Sequence, residues 1–252
     1  MLIDSHIHVG QFWDNYYSPE FISRYLQKVG VTTYAVSSTT ICSHDYPKVI
    51  QELETLLMLD GDKVLPIMWI TPDCLKGNIA WFLESAIPWR CLKVHPFLNQ
   101  SDWNPNGELF ADVIEIAREL SLPLLIHTDT DFSCHANKYE VLYQDNPCVN
   151  FILAHGRPNN EAIRIVQEYK NVFVDSAFMP IDEMKKFIEN GLCNKLLWGT
   201  DMCIPKHFFP KINLESYYME KISAFRAIST EDEFNQVTHR NAMRVFKINN
   251  NK

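Results

Sequence analysis

Eight short apolar segments recur along the chain, and segments with helical periodicity separate them. Aliphatic and β-branched residues fill both faces of these segments, as in "VLPIMWI" and "VNFILA". Such two-sided apolar runs are typical of parallel strands whose sheet is covered by helices. The predicted strands span residues 2–9, 33–38, 64–70, 91–95, 123–128, 150–155, 172–176 and 195–200. Few folds accommodate eight such strands in one chain of 252 residues.

Segments with helical spacing follow these strands. They cover residues 19–29, 46–59, 75–85, 108–120, 138–143, 160–169, 181–190, 214–227 and 230–246. The first has Ser18 as a predicted N-cap, Pro19 at the first helical position and Gly30 just beyond its end. Strands and helices that alternate about every 30 residues are typical of a (β/α)8 barrel.

We therefore predict an α/β fold, a single (β/α)8 TIM barrel with an extra C-terminal helix, forming one domain over residues 1–252. A doubly wound open sheet is the alternative, but it normally has fewer strands and often a glycine-rich first turn. No G-x-G-x-x-G motif follows the first strand here. Long segments after strands predict an elaborated carboxyl-terminal face; they span residues 10–17, 96–107, 129–137 and 202–213.

Composition and charge restrict the partners. A formal net charge of -8, without a run of five basic residues, argues against a nucleic-acid partner. We see no signal peptide, no apolar run long enough to span a membrane, and no C-x-x-C pair among seven cysteines. We expect a cytoplasmic protein that acts on a small molecule without a membrane partner. The apolar segment "HFFPKINLESYYM" is a candidate surface for a homo-oligomer.

Ionisable side chains interrupt the ends of five predicted strands. In "IDSHIHVG", His6 and His8 share one face of the first strand, because side chains alternate along a strand. Asp4 shares that face, lies deeper, and is expected to be structural. The carboxyl ends of barrel strands meet at one mouth, and the first strand neighbours the last. The later strands contribute Lys93 and His95, His127, His155, and Asp201.

Three imidazoles and one carboxylate suit a divalent ion of the zinc, manganese or iron type. Zinc lowers the pKa of a bound water to about 7, so the site would supply hydroxide near neutral pH. Asp201 would accept the proton as this water attacks and deliver it to the leaving group. His155 would polarise a substrate carbonyl and stabilise the oxyanion. Taken singly, these residues have structural explanations, such as a hydrogen-bonded core histidine; their shared position at strand ends favours the metal site.

Other polar residues near the strand ends have weaker assignments. Lys93 could bind a substrate anion, pair with an acid, or bridge two metals as a carboxylated lysine. His95 could line the pocket or orient a ligand. Arg157 directly follows His155-Gly156 and could bind a substrate carboxylate through its fork of donors, with a surface salt bridge as the alternative.

Several motifs resemble the amidohydrolase superfamily, and within it the amidohydrolase-2 group of metal-dependent barrel hydrolases and decarboxylases. They are "IDSHIHVG", "LKVHP", "ELSLPLLIHT", "NFILAHG", "NVFVDS", "LLWGTD" and the final "RNAMRVF". The resemblance implies a barrel with one divalent metal, most often zinc, rather than two. It also implies metal ligands at the matching positions, namely His6, His8, His127 and Asp201. His155 matches a histidine that contacts the reactive water or substrate.

One departure from that group concerns the pocket. Arg157-Pro158 follows the sixth-strand His-Gly where many relatives have further glycine, which favours an anionic substrate. TatD-type nucleases share the opening motif, but their fourth strand normally carries a glutamate where this chain has Lys93.

The predicted function is therefore a metal-dependent hydrolase that cleaves an amide, ester or lactone bond of a small, anionic molecule through a metal-activated water. A metal-dependent decarboxylase, a carbon-carbon lyase, is the closest alternative on the same scaffold. Two further alternatives are a lactonase that works without metal and a non-catalytic barrel. Intact ionisable residues at all the strand ends favour catalysis.

Overall fold

Parallel strands form the centre of the structure, a computed structural model that describes residues 1–98 and 103–248. All eight predicted strands are present, and a short ninth strand, β2, was not predicted. The strands are β1 (Ile3–Phe12), β2 (Asn15–Tyr17), β3 (Thr33–Ser38), β4 (Val64–Trp69), β5 (Cys91–Val94), β6 (Leu124–His127), β7 (Phe151–Ala154), β8 (Val172–Asp175) and β9 (Leu196–Leu197).

The nine strands form one mixed sheet in the order β2-β1-β3-β4-β5-β6-β7-β8-β9. Only β2 is antiparallel among these described strands, and it pairs with the far end of β1. Backbone hydrogen bonds also join β1 to the segment after β9. Ser5 N donates to Trp198 O at 2.8 Å, and Asp201 N donates to His6 O at 2.8 Å. The first parallel strand and the last therefore lie side by side.

Helices separate the strands, as the sequence predicts. They are α1 (Pro19–Lys28), α2 (Tyr46–Asp60), α3 (Ala80–Leu83), α4 (Glu108–Glu119), α5 (Glu140–Asp145), α6 (Asn159–Glu168), α7 (Ile181–Glu189), α8 (Pro205–Phe208), α9 (Leu214–Ile228), α10 (Glu231–Asn235) and α11 (Asn241–Val245). Within the described ranges, none combines the length and apolar composition needed to cross a membrane.

Two predicted helices differ from the structure. The helix expected over 75–85 is divided into a π-helical turn, Cys74–Asn78, and α3, because Gly77 has a φ of 152° that no helix contains. The terminal helix expected over 230–246 is α10 and α11 joined by a π-helical turn, Gln236–Arg240. Thr230 and Glu233 form a capping box at its start, which fixes where it begins.

The inner face of the sheet changes character along the strands. An apolar cluster near the strand starts includes Cys91, Leu125 and Phe173, and residues of α11 pack against it. Side chains two positions apart share a face. On β5, β6 and β8 the next residue on that face is therefore Lys93, His127 and Asp175. The same face that buries the core thus presents ionisable groups at the carboxyl ends.

Candidate functional site

Three ligand-type atoms converge at the carboxyl ends of β1 and β9. His8 Nε2 lies 2.9 Å and His6 Nε2 lies 3.4 Å from Asp201 Oδ1. All three side chains are buried, and one ligand atom from each lies within 4.8 Å of the others. Asp201 Oδ1 is buried and accepts no hydrogen bond from the described part of the chain. A buried carboxylate oxygen without a donor is costly unless a cation completes its surroundings.

Hydrogen bonds set the protonation of the two histidine rings in β1. His6 Nδ1 lies 2.9 Å from Asp175 Oδ2, and His8 Nδ1 lies 3.0 Å from Ser37 Oγ. Lys93 Nζ lies 2.9 Å from His6 Nε2 and 3.1 Å from His8 Nε2. Because an amine donates, both Nε2 atoms are acceptors and both rings carry their proton on Nδ1. Each ring therefore offers a lone pair from Nε2 to the site.

Asp175 is a site residue that the sequence reasoning missed. It is fully buried at the end of β8, and its Oδ1 accepts hydrogen bonds from the backbone N of His155 at 3.0 Å and of Ala177 at 2.9 Å. The missed signal is the carboxylate that ends the apolar run "VFVD". This is the same pattern that identified the other strand ends. Asp175 thus orients His6 and the backbone of His155 together.

Asp4 and Gly199 position the segment that carries Asp201. Asp4 Oδ2 accepts a hydrogen bond from Thr200 Oγ1 at 2.6 Å, in agreement with the structural role expected for this carboxylate. A Cβ atom at Gly199 would lie 3.2 Å from His6 Cβ, so glycine allows the segment to approach β1 closely. Asp201 itself has a φ of 57°, an uncommon value for a residue other than glycine.

The other three predicted site histidines contact one another beside the His6–His8–Asp201 group, and the His155 and His6 ring centroids lie 5.5 Å apart. His155 Nε2 lies 3.2 Å from His127 Nδ1, and His155 Nδ1 lies 3.2 Å from Ala177 O. The rings of His127 and His95 stack with their centroids 3.7 Å apart. His155 also has a left-handed backbone, with a φ of 69°. The structure thus brings His6, His8 and Asp201 together and places His127 against His155 and His95.

Burial controls the charge of these groups. It lowers the pKa of His8 and of His155 to about 3, so both imidazoles are neutral at pH 7. Burial also lowers the pKa of Lys93 to about 8, although Asp201 and Asp175 act in the opposite direction. For Asp201, burial alone would raise the pKa, but interactions with His6, His8 and His155 outweigh burial and hold the pKa well below its usual range. Asp201 is therefore ionised.

Arg157 faces the site from the turn after β7. Its Nη1 lies 3.6 Å from Asp129 Oδ1, and its guanidinium lies 6.0 Å from the centre of the Phe178 ring. Asp129 Oδ2 lies 3.8 Å from His127 Nε2, and this close approach to His127 lowers the pKa of Asp129. Both Arg157 and Asp129 are partly exposed. One guanidinium thus remains accessible to an anion in the space beside the histidines.

A cavity of about 630 Å³ opens above these groups. His8, Lys93, His95, His127, His155 and Asp201 line it together with Arg157 and a largely aromatic wall. All four predicted long segments contribute to it; of residues 96–107, positions 99–102 lie outside the described part of the chain. The exposed aromatic rim consists of Trp13, Phe97, Phe208 and Phe209. A cavity of this size fits a small molecule.

The chain belongs to the amidohydrolase-2 family. The sequence model of that family, described as amidohydrolase, matches residues 90–248, which is more than half of the chain. No curated protein matches the sequence significantly.

Solved structures with the same fold share little sequence with this chain. A probable 2-pyrone-4,6-dicarboxylic acid hydrolase from Acinetobacter baumannii, with citric acid bound, has a TM-score of 0.66 at 16% identity, over 98% of this chain and 99% of that one. An uncharacterised TIM-barrel protein from Bordetella bronchiseptica has a TM-score of 0.72 at 13% identity, over 98% of both chains. A 5-carboxyvanillate decarboxylase from Novosphingobium aromaticivorans, with bound manganese, has a TM-score of 0.70 at 10% identity, over 98% of this chain and 97% of that one.

Proposed function

We propose that the protein is a metal-dependent hydrolase that cleaves an amide, ester or lactone bond of a small anionic molecule. The observation that carries this proposal is the convergence of His6 Nε2, His8 Nε2 and Asp201 Oδ1, of which His8 and Asp201 line the cavity. Among the described residues, none donates a hydrogen bond to Asp201 Oδ1. Membership of the amidohydrolase-2 family supports it.

The donor set fits a divalent cation. Two neutral imidazole nitrogens and one carboxylate oxygen suit zinc, manganese or iron, and we favour a single zinc ion. The fold relative from Novosphingobium aromaticivorans has bound manganese, so manganese is the alternative metal. We propose His6, His8 and Asp201 as ligands, with His127 as a fourth. The ion would act as a Lewis acid and lower the pKa of a water molecule.

The protein's own groups supply the remaining steps. Asp201 is ionised at neutral pH, so its carboxylate can accept a proton from the attacking water and return it to the leaving group. His155 lies beside His127 on the cavity wall. Because its proton lies on Nδ1, against Ala177 O, its Nε2 cannot donate to a substrate carbonyl as expected from the sequence. We propose instead that Nε2 contacts the reactive water or the substrate as a hydrogen-bond acceptor. Arg157 would bind the substrate's anionic group, while Lys93 and His95 line the floor beneath it. The aromatic rim excludes water from the bound molecule.

A metal-dependent decarboxylase is the second candidate. The cavity holds two basic side chains, Lys93 and Arg157, that can bind carboxylates, and one fold relative is a 5-carboxyvanillate decarboxylase. The two reactions differ in their products. Hydrolysis in ¹⁸O-labelled water places the label in the product, whereas decarboxylation releases carbon dioxide and places no label there.

We further infer that the chain is one domain, residues 1–252, folded as a complete (β/α)8 barrel with α10 and α11 as its extra C-terminal helix. The hydrogen bonds between β1 and the segment after β9 support closure of the barrel. We also propose a cytoplasmic location, a small-molecule partner rather than nucleic acid, and a homo-oligomer that uses the exposed Phe208 and Phe209.

Metal content per chain tests the proposal. Wild type, His8→Ala and His44→Ala are purified, dialysed and analysed in parallel; His44 is exposed and distant from the cavity lining, so it serves as the control. We expect about one equivalent in wild type and His44→Ala and none in His8→Ala. Two equivalents would make Lys93 a bridging ligand. No metal in wild type after reconstitution with zinc or manganese would refute the proposal.

A further inference from the structure

Lys221 reaches from helix α9 into the protein behind the cavity. Its side chain is buried, and the residue is 8% exposed. Lys221 Nζ donates a hydrogen bond to Ser176 O at 2.5 Å and lies 3.5 Å from Gly199 O. The amine also lies 5.6 Å from the centre of the Trp198 ring. It does not line the cavity, so it cannot touch a substrate there.

The carbonyl groups that Lys221 contacts belong to the two segments that carry site residues. Ser176 lies between Asp175, which binds His6 Nδ1, and Ala177, whose carbonyl oxygen lies 3.2 Å from His155 Nδ1. Gly199 lies two residues before Asp201 in the chain. Ser176 Oγ donates to Gly199 O at 3.1 Å and also accepts from Gly199 N. Hydrogen bonds of Lys221 and Ser176 therefore connect the turn 175–177 to the segment that ends in Asp201.

The carboxylates near Lys221 give a second reason for a lysine at this position. Asp4, Asp175 and Asp201 are three buried carboxylates around the ends of β1, β8 and β9. Lys221 is the buried lysine on the side of these carboxylates away from the cavity, whereas Lys93 faces the cavity. A buried cation among carboxylates keeps their charge compensated when the site holds no other cation.

We propose that Lys221 is a positioning residue that holds the turn 175–177 against Gly199 and thereby fixes the rings of His6 and His155. Through Asp175 it keeps the His6 proton on Nδ1, and through Ala177 it keeps the His155 proton on Nδ1. The lone pair on His6 Nε2 then faces the His6–His8–Asp201 group, and the lone pair on His155 Nε2 faces His127 Nδ1. The metal-binding part of this inference rests on the proposed function, whereas the ring protonation does not.

Lys195 offers a matched control. It is a partly buried lysine whose Nζ donates to three backbone carbonyls, those of Tyr169, Lys170 and Val172, at distances of 2.7–3.1 Å. These carbonyls lie at the opposite end of β8. Loss of Lys195 therefore removes the same kind of interaction without reaching the site residues.

The test compares wild type, Lys221→Met and Lys195→Met, after thermal unfolding has shown that each is folded. Two-dimensional NMR of ¹⁵N-histidine-labelled, metal-free protein reports which ring nitrogen carries each proton. Calorimetric titration with zinc reports affinity. We expect Lys221→Met to lose the single Nδ1-protonated state of His6 and His155 and to bind zinc 10- to 100-fold more weakly, whereas Lys195→Met matches wild type.

The outcomes separate the two claims. Unchanged ring protonation and zinc affinity in Lys221→Met would overturn the positioning role. If wild type binds neither zinc nor manganese, the proposed function fails, and the ring protonation alone still decides the role of Lys221. Should Lys221→Met not fold, Lys221→Gln, which keeps an N–H donor, and Ser176→Ala, which removes the second link to Gly199, are compared in the same way. We expect wild-type ring protonation in Lys221→Gln and loss of the single Nδ1-protonated state in Ser176→Ala; wild-type ring protonation in Ser176→Ala would overturn the proposal.

Discussion

The two ends of the parallel strands bury different chemistry on the same face. At the amino ends the face holds Cys91, Leu125 and Phe173, which pack against α11. At the carboxyl ends, two residues further on, it holds Lys93, His127 and Asp175, with His6, His8 and Asp201 beside them. Burial at the amino end stabilises the fold through the hydrophobic effect. Burial at the carboxyl end instead lowers the pKa of His8 and His155, and no residue within 1–98 and 103–248 donates a hydrogen bond to Asp201 Oδ1.

The residues that stabilise the fold and the residues that could carry out a reaction therefore lie in separate layers of one barrel-like core, at the amino and the carboxyl ends of the strands. Changes at the carboxyl end should reduce activity with little cost in stability, and changes at the amino end should do the reverse.

Asp201→Asn should have the largest effect on activity. The amide keeps the shape of the side chain but cannot accept a proton as a carboxylate does, so kcat should fall by about 10² to 10⁴-fold. Steady-state kinetics on a substrate found by screening esters, lactones and carboxylates measures this loss. Activity within a few fold of wild type would remove Asp201 from the catalytic role.

A pair of substitutions on β6 compares the two layers directly. Leu125 and His127 share a strand and a face, two residues apart, and Leu125 is fully buried. Leu125→Ala should lower the free energy of unfolding by about 2–5 kcal/mol and leave kcat nearly unchanged. His127→Ala should lower metal affinity and kcat with a smaller loss of stability. Urea unfolding and kinetics on both variants check this, and equal effects on both properties would contradict the separation.

Arg157→Met tests whether the carboxyl end of the sheet binds the anionic group of a substrate. The substitution removes the accessible guanidinium while keeping a long side chain, so KM for an anionic substrate should rise by about 10-fold or more. The change in kcat should be smaller, because Arg157 lies away from the His6–His8–Asp201 group. A neutral analogue of the substrate serves as the control. Equal losses for charged and neutral substrates would argue against anion binding by Arg157.

The smallest effect concerns pH at the amino end. Burial lowers the pKa of Lys195 to about 8, below its unfolded value near 10.5. The unfolded state therefore binds more protons between these values, and stability should rise as pH increases from 8 towards 10. Lys195 is only partly buried, so solvent screening limits the gain to about 1 kcal/mol. Thermal unfolding of wild type and Lys195→Met at several pH values tests this, and the gain should be absent in the variant.

Sequence reasoning located the strands and most of the site because both depend on local pattern. An apolar run that ends in a histidine or aspartate is visible without any tertiary information, as in "LLIHT" and "FILAHG". Asp175 follows the same rule in "VFVD", so the signal for it was present in the sequence and was overlooked.

Features that depend on tertiary geometry were not accessible from the sequence. The contact of His127 with His155 depends on the pairing of β6 with β7 and on ring rotation. The position of Lys93 Nζ between His6 and His8 requires the arrangement of β5 opposite β1. Strand β2 has only three residues, too few for a period-two pattern, and the break in the third helix depends on the conformation of Gly77.

An anomalous-scattering map at the zinc edge, from crystals of the zinc-loaded protein, tests the central claim most directly. The account predicts a single peak within bonding distance, about 2.0–2.2 Å, of His6 Nε2, His8 Nε2 and Asp201 Oδ1. A zinc peak elsewhere, with these three atoms uncoordinated, would contradict it.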